Sequence, residues 1–222
     1  MAIEPPASVW AFPSAQRAHH SGMVAAGGDL APGTLLAAYR SGLFPMPGDV
    51  AGEIHWWSPD PRGVIELDAF HASRSLQRSR RRFDVRVDTC FRQVVTTCSA
   101  LDRPGAWITE PIVDAYCQLH ELGWAHSVEV FDTDGALVGG LYGVGIGGFF
   151  AGESMFHLVT DASKMAVWAL VDVLAAGGAT LFDVQWTTDH LRTLGATDLS
   201  RDRYLQRLAE AVSAPVDPFA PR

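Results

Sequence analysis

Residues Gly139–Phe156 read GGLYGVGIGGFFAGESMF, an apolar and glycine-rich run in which Glu153 is the only charged residue. The uncharged part is shorter than the roughly 20 residues that a membrane helix needs. The run therefore predicts paired strands in a buried sheet. A carboxylate at the end of so apolar a segment is costly to bury unless a partner or a ligand meets it. Glu153 is the first candidate for a functional residue.

A second unusual segment, Leu181–Trp186, reads LFDVQW. Residues i and i+2 of a strand share a face, so Asp183 and Gln185 are expected to point the same way. An apolar hollow with Glu153, Asp183 and Gln185 at its rim suits a ligand that is apolar at one end and polar at the other. The structural alternatives are an arginine partner for Glu153 and a sheet-edge position for the other two.

Composition limits the possible classes of protein. The chain has 222 residues, of which 48% are hydrophobic, and a net charge of −8. This predicts a folded chain with a full core. The start of the chain, Met1–Ala15, contains three prolines and no long apolar run, so no secretion leader is expected. Three cysteines without metal or redox spacing are typical of a reduced, cytoplasmic protein.

The acidic net charge alone argues against a nucleic-acid partner, but the arginines are concentrated in one segment. That segment contains Arg74, Arg78, Arg80, Arg81, Arg82 and Arg86. One interpretation is a solvated, charged helix end. The other is a surface on which a phosphate backbone docks.

The order of elements predicts an α+β fold with a small irregular N-terminal domain, residues 1–61, and a larger domain, residues 62–222. The first is rich in proline and glycine, and Leu43–Pro47 is predicted to be an extended loop. In the second, strands and helices alternate in a mixed, largely antiparallel sheet with a late strand–helix–strand crossover. Asp88 or Thr89 is expected to cap one helix, and Thr160 or Asp161 the long crossover helix.

Several short motifs give only weak evidence for a functional site. Gly143–Gly148 matches G-x-G-x-x-G, but a strand and not a helix is predicted to follow, which favours a hairpin turn over a dinucleotide site. His120-Glu121 lacks the second histidine of a zinc protease, so no metal site is predicted. Trp56, Trp57 and Trp107 fit either a core or an aromatic wall against a nucleobase.

Together these segments resemble the bacterial leucyl/phenylalanyl-tRNA–protein transferases. The two most specific strings are Trp56–Arg62 (WWSPDPR) and Gly152–Phe156 (GESMF). Others run in order along the chain: Gly27–Leu30, Gly42–Pro45, His71–Ser75, Trp107–Thr109, Leu137–Gly140, Ala162–Lys164 and Asp183–Gln185.

The resemblance implies that the larger domain is similar to the acyl-CoA N-acyltransferases (GNAT-like). It also implies transfer of Leu or Phe, with Met as a third candidate donor, from aminoacyl-tRNA to proteins that begin with Arg or Lys, which marks them for N-end-rule degradation. The aminoacyl ester supplies the driving force, so no cofactor or metal is expected. The family further suggests a monomer, and the short uncharged run predicts no membrane association.

The resemblance also implies a set of site residues. The donor side-chain pocket corresponds to Leu141, Phe150, Met155, Leu170, Leu174 and Phe182. The terminal adenosine is expected near Trp107, Tyr39 and Met46, and the tRNA backbone at Arg74, Arg78, Arg80, Arg81 and Arg82. Some members carry a tryptophan at Met46, phenylalanines at Leu170 and Leu174, and an asparagine at Thr188. These differences predict weaker adenine stacking and a wider pocket.

The reaction would be aminolysis of an ester by an α-amino group whose pKa is about 7.7–8.0, so positioning matters more than a strong base. We expect Gln185 to orient the amine and Asp183 to stabilise the developing ammonium. Glu153 would either accept a proton or attract the cationic side chain of the acceptor. Two other functions fit parts of the pattern: an acyl-CoA-dependent N-acyltransferase, and a non-catalytic module that binds basic peptide N-termini.

Overall fold

The computed structural model describes residues 2–101 and 107–220. The strands are β1 (Met23–Ala26), β2 (Phe44–Pro47), β3 (Ile54–Trp57), β4 (Arg62–Ile65), β5 (Asp84–Val87), β6 (Ala125–Phe131), β7 (Leu137–Ile146), β8 (Phe149–His157), β9 (Leu181–Gln185) and β10 (Ala196–Leu199). The helices are α1 (Pro32–Arg40), α2 (Arg74–Ser79), α3 (Phe91–Ser99), α4 (Glu110–Glu121), α5 (Ala162–Ala176), α6 (Asp189–Arg192) and α7 (Arg201–Val212).

The strands form two sheets. A three-stranded sheet has the order β1-β3-β2, and a seven-stranded sheet has the order β10-β4-β9-β8-β7-β6-β5. Across the described residues every strand pair is antiparallel except β8 and β9, which are parallel and joined by the crossover helix α5. The predicted α+β class, with its mixed and largely antiparallel sheet, is confirmed.

The parallel pair opens into a wedge. Only three residues of each strand are paired in the described chain: Phe149–Ala151 of β8 lie opposite the first three residues of β9. β8 then continues along β7 as far as His157. β9 instead pairs with β4 on its other side. The two parallel strands therefore separate beyond Ala151 and Asp183, and the gap between them becomes the candidate site.

The hydrophobic core lies in two clusters, one on each face of the large sheet. One cluster contains residues of α3, α4 and α7, and also Tyr39, Phe44 and Trp56 from the first 61 residues. The other contains residues of α2, α5 and α6. The division at residue 61 stays a prediction, but a single apolar cluster extends across it.

Some predicted local features are wrong. The segment Leu43–Pro47 is not a loop, because Phe44–Pro47 forms β2 against β3. Strand β10 was not predicted from the sequence, and it pairs along the whole length of β4. Neither Asp88 nor Thr89 caps α3, which begins after Cys90 without a side-chain cap. Asp161 is the N-cap residue of α5, as expected, but its side chain makes no capping hydrogen bond and its carboxylate accepts one from the Ser79 hydroxyl.

No helix in residues 2–101 or 107–220 is both long enough and apolar enough to cross a membrane.

Candidate active site

A cavity of about 170 Å³ lies in the wedge between β8 and β9. Its walls come from both strands, from the neighbouring strand β7 and from two helices, α5 and α6. The lining residues are Leu141, Gly152, Glu153, Ser154, Met155, Val167, Phe182, Val184, Gln185 and Leu191. Most of the lining is apolar, and the one charged group in it is Glu153.

Glu153 is the additional residue of a β-bulge. Gly152 pairs with Gly143, and Ser154 pairs with the next residue of β7, Tyr142, so Glu153 has no partner of its own across the ladder. A bulge bends its strand and redirects a side chain. Here it lies where β8 leaves β9, and it brings the carboxylate to the cavity.

Three neutral groups surround the Glu153 carboxylate. The Tyr116 hydroxyl donates to Oε2 at 3.1 Å, and the Gln185 Nε2 atom donates to Oε1 at 3.3 Å. The hydroxyl of Tyr39 is hydrogen-bonded to that of Tyr116. Desolvation by burial raises the pKa of Glu153 to about 7, although the hydrogen bonds from both tyrosines act in the opposite direction. The carboxyl is therefore poised to exchange a proton near neutral pH.

Both tyrosines remain protonated. Burial raises the pKa of Tyr39 and of Tyr116 well above the usual range, and the nearby charge of Glu153 adds to the effect. They can therefore act as hydrogen-bond donors to the carboxylate at any physiological pH. Tyr39 comes from α1 and Tyr116 from α4, so two elements of one apolar cluster hold a group on the central sheet.

Gln185 ends β9 in the left-handed region, with φ of 57°. This conformation is rare for a residue other than glycine and indicates that surrounding contacts impose it. Its backbone N–H donates to Asp183 Oδ1 at 2.9 Å. The change of direction places both Val184 and Gln185 in the cavity wall, which a regular strand would not do.

Asp183 is not at the rim, contrary to the sequence-based expectation. It is fully buried and paired with Arg62 through two hydrogen bonds, Nε to Oδ1 at 2.9 Å and Nη2 to Oδ2 at 2.6 Å. The Tyr204 hydroxyl donates to Oδ2 at 2.9 Å. The i, i+2 argument failed because Gln185 leaves the strand conformation. Asp183 contacts the backbone of Gln185 and does not line the cavity.

Arg62 and Tyr204 are site residues that the sequence analysis missed. The guanidinium of Arg62 lies between the rings of Phe44 and Tyr204, 4.8 and 4.4 Å from their centroids, and donates to the Gly42 carbonyl. One signal did exist, because a carboxylate in an apolar strand requires a cationic partner. The sequence does not say which of its many arginines that partner is.

The predicted donor pocket is only partly the observed cavity. Leu141, Met155 and Phe182 line it. The other three members of the predicted set, Phe150, Leu170 and Leu174, are fully buried in the cluster behind the wall. The lining residues Val167, Val184 and Leu191 were not predicted.

The three residues expected near adenosine are not equivalent. Tyr39 is completely buried beneath Glu153 and presents no face to a ligand. Met46 and Trp107 are partly buried and pack against the apolar cluster that contains Tyr39. Thr188 caps α6, and its hydroxyl accepts the N–H of Leu191.

The five arginines predicted to contact tRNA are all exposed, on α2 and the 3-10 turn Arg80–Arg82 that follows it. Arg80 lies 5.1 Å from the ring centroid of Trp168 in α5. Within the described chain none of the five forms an ion pair with a carboxylate, so all are available to external anions. No group of three potential metal ligands is found among the described residues.

Comparison with known proteins identifies the family of the chain. Residues 64–209 match the family described as leucyl/phenylalanyl-tRNA protein transferase, and residues 28–60 match the N-terminal domain of the same family. A leucyl/phenylalanyl-tRNA--protein transferase from Sulfurimonas denitrificans is 49% identical over 200 residues, covering 89% of this chain and 87% of the relative. One from Myxococcus xanthus is 48% identical over 209 residues, covering 92% and 88%.

Similarity to solved structures is weaker. A GCN5-related N-acetyltransferase from Kribbella flavida is 13% identical with a TM-score of 0.38, covering 76% of this chain and 61% of that one. The structure of L-PGS from Bacillus licheniformis is 14% identical with a TM-score of 0.42, covering 60% and 49%. The sequence matches, in contrast, extend over nearly the whole chain. The chain belongs to the leucyl/phenylalanyl-tRNA protein transferase family, and it is an aminoacyltransferase.

Proposed function

We propose that the protein transfers leucine or phenylalanine from aminoacyl-tRNA to the α-amino group of proteins that begin with Arg or Lys. The added residue would mark the acceptor for degradation through the N-end rule. The observation that carries the proposal is the Glu153–Gln185 pair, bridged at 3.3 Å at the edge of an apolar cavity. This arrangement matches a substrate whose apolar side chain lies next to a reacting polar centre.

The cavity would hold the donor side chain. Leu141, Met155 and Phe182 offer apolar contacts to an unbranched or γ-branched side chain, and Val167 and Leu191 close the helical side. Each methylene that a smaller donor lacks reduces binding by about 1–3 kcal/mol. Met is the third donor that this wall would accept.

Aminolysis would proceed at the edge of the cavity. The acceptor nitrogen forms a bond to the ester carbonyl carbon, and the bond from that carbon to the ribose oxygen breaks. One proton leaves the amine, and one reaches the ribose oxygen. Glu153, whose pKa is about 7, would take the first proton and return the second. Gln185 donates to Glu153 through Nε2, which leaves its Oε1 atom to orient the amine.

Asp183 would act indirectly. Its carboxylate accepts the backbone N–H of Gln185, and Arg62 fixes the carboxylate. We therefore assign it as a positioning residue, in place of the direct contact with the ammonium that the sequence suggested. Buried pairs of this kind hold geometry more than they add stability.

The five exposed arginines would bind the tRNA backbone without reading sequence. Trp107 and Met46 remain the candidates for adenosine contact, with Met46 offering less stacking surface than an aromatic residue. Action in the cytoplasm, where aminoacyl-tRNA is made, remains a prediction, and so does a monomeric state.

The decisive experiment is the transfer of labelled leucine from charged tRNA to a peptide beginning with Arg, in the absence of CoA. We expect label on the peptide. No transfer is expected to the same peptide with an acetylated N-terminus, and little to one that begins with Ala. Absence of transfer to the Arg peptide would refute the proposal. Transfer of an acyl group from CoA would support the N-acyltransferase, and binding of the peptide alone would support the recognition module.

A further inference from the structure

Three basic residues lie near residues that line the cavity, each on the same element as the lining residue it neighbours. On β8, His157 follows Met155 on the same face of the strand. On α5, Lys164 is one turn before Val167, and residues at that spacing are neighbours on a helix surface.

The third basic residue is His190, which precedes the lining residue Leu191 in α6. We call Lys164, His157 and His190 the basic collar. Three separate elements thus each carry a potential cation beside a residue that lines the cavity.

Contacts indicate that these side chains are close together. Ser163, adjacent to Lys164, has its hydroxyl 3.4 Å from the His157 Nδ1 atom. The pKa of His190 is lowered, first by burial and then by the charges of Lys164 and His157. Like charges gathered in one place repel one another, and an anion between them would relieve that repulsion.

No carboxylate in the described chain forms an ion pair with the collar. Asp161, three residues before Lys164, accepts the hydroxyl of Ser79 instead. Asp189, next to His190, is exposed at the first turn of α6. The charge of Lys164 is therefore available to an external anion. It is also the chain's only lysine.

The collar continues the arginine surface. Arg80 lies over the ring of Trp168, which is one turn along α5 from Lys164. Ser79 joins α2 to the residue that precedes α5. Basic groups therefore extend from the 3-10 turn Arg80–Arg82, across α5, to the cavity.

We propose that the basic collar binds the phosphodiesters of the last nucleotides of the donor, next to the aminoacyl ester. This inference rests on the proposed function and assigns a phosphate subsite to it. An ester held at the cavity brings a phosphodiester one nucleotide away, and the collar residues neighbour residues that line the cavity. Lys164 would make the main contact, and the two histidines would donate hydrogen bonds to neighbouring phosphate oxygens.

The test compares donors with and without phosphates. Phenylalanyl-adenosine has none, whereas a phenylalanyl-CCA trinucleotide and charged tRNA have them. We expect Lys164→Gln to raise the KM for the last two by about tenfold, as expected when one charged hydrogen bond is removed, and to leave kcat/KM for phenylalanyl-adenosine within about twofold. Lys164→Arg should restore binding. Arg203→Gln, which removes an exposed charge on α7, is the matched control.

Equal losses with all three donors would overturn the inference, and so would an unchanged KM for tRNA. If the wild-type protein transfers from none of them, the proposed function fails separately. The subsite is then tested without catalysis, by the acetylation rate of Lys164 followed by mass spectrometry. An uncharged CCA trinucleotide should slow acetylation severalfold and adenosine should not. No protection by CCA would overturn the subsite.

Discussion

At the scale of single residues, the burial of Glu153 determines the pH at which its carboxyl group ionises. A free carboxyl is ionised at neutral pH, but burial raises the pKa of this one to about 7. Between pH 4.5 and 7 the folded chain therefore binds more protons at this position than the unfolded chain. Stability from this group decreases as pH rises through that interval. The same shift makes the group able to accept a proton from an amine and return it.

The variant Glu153→Gln tests the contribution of this carboxyl group to stability and its role in proton transfer in two separate measurements. Relative to wild type, the variant should become more stable as pH rises from 5 to 8, by at most roughly 1.4 kcal/mol per pH unit within the titration interval. Its turnover should fall by about 10²–10⁴-fold, and the decrease of kcat below neutral pH should disappear. Urea unfolding and pH profiles of kcat measure both. If Glu153 instead attracts the acceptor's cation, KM for the Arg peptide will rise while the kcat profile keeps its acid limb.

Single residues also show where sequence reasoning stops. Glu153 was recognised as a candidate because a carboxylate in an apolar run is costly to bury without a partner or a ligand. Its partner Tyr116 did not, since a tyrosine in an amphipathic helix is typical of any core. The positive φ of Gln185 comes from contacts with Asp183 and the neighbouring strand, and no local pattern in LFDVQW encodes it. The expectation that Asp183 faces the cavity failed for that reason.

At the scale of elements, the end of β9 depends on the Arg62–Asp183 pair. Asp183→Leu leaves a buried guanidinium unpaired, and should cost about 3–5 kcal/mol of stability. The double variant Arg62→Met/Asp183→Leu removes both charges and should recover most of that loss. Turnover should stay low in both, because the N–H of Gln185 has lost its acceptor. Urea unfolding and transfer assays measure the two quantities.

A surface pair provides the control for that experiment. Asp198 and Arg192 form an exposed ion pair at 2.7 Å, and Asp198→Asn should change stability by no more than about 1 kcal/mol. If the double variant regains full turnover, Asp183 has only a structural role and the positioning assignment is wrong.

The arginines of the 3-10 turn after α2 lead to a prediction about the salt dependence of tRNA binding. Replacing Arg80, Arg81 and Arg82 by glutamine should reduce the slope of log affinity for tRNA against log salt by roughly 0.7–0.9 for each phosphate that the protein no longer neutralises. Arg86→Gln is the matched control, because Arg86 already pairs with Asp84 at 2.7 Å. Fluorescence titrations of tRNA at several salt concentrations give the slopes. An unchanged slope in the triple variant would exclude this segment from the interface.

Elements were predicted well where their pattern is local. The run Gly139–Phe156 was expected to form paired strands, and it contributes most of β7 and β8. The long crossover helix expected after it is α5. Strand β10 reads ATDL and has no alternation to reveal it. Its strand conformation arises from pairing with β4, a contact distant in sequence. Strand β2 was missed because its two prolines indicate a loop.

At the scale of the whole molecule, the first 61 residues complete the site as well as the core. Tyr39 lies beneath Glu153, and the carbonyl of Gly42 accepts from Arg62. Leu35 and Trp56 belong to the same apolar cluster as residues of α4 and β7. Removing this segment would expose that cluster and leave Tyr116 without its hydroxyl partner. The intact chain should therefore unfold as one cooperative unit.

A fragment of residues 62–222 tests this expectation. It should lack a cooperative thermal transition and show no transfer activity, whereas the full chain should give one transition with equal calorimetric and van't Hoff enthalpies. Tyr39→Phe in the full chain keeps the ring in the core and removes only the hydroxyl. It should retain the single transition, and it separates the effect of packing from the effect of the hydrogen bond. A fragment that unfolds cooperatively by itself would show that the C-terminal part is an autonomous domain. The positioning of Glu153 would then depend on docking between domains and not on a shared core.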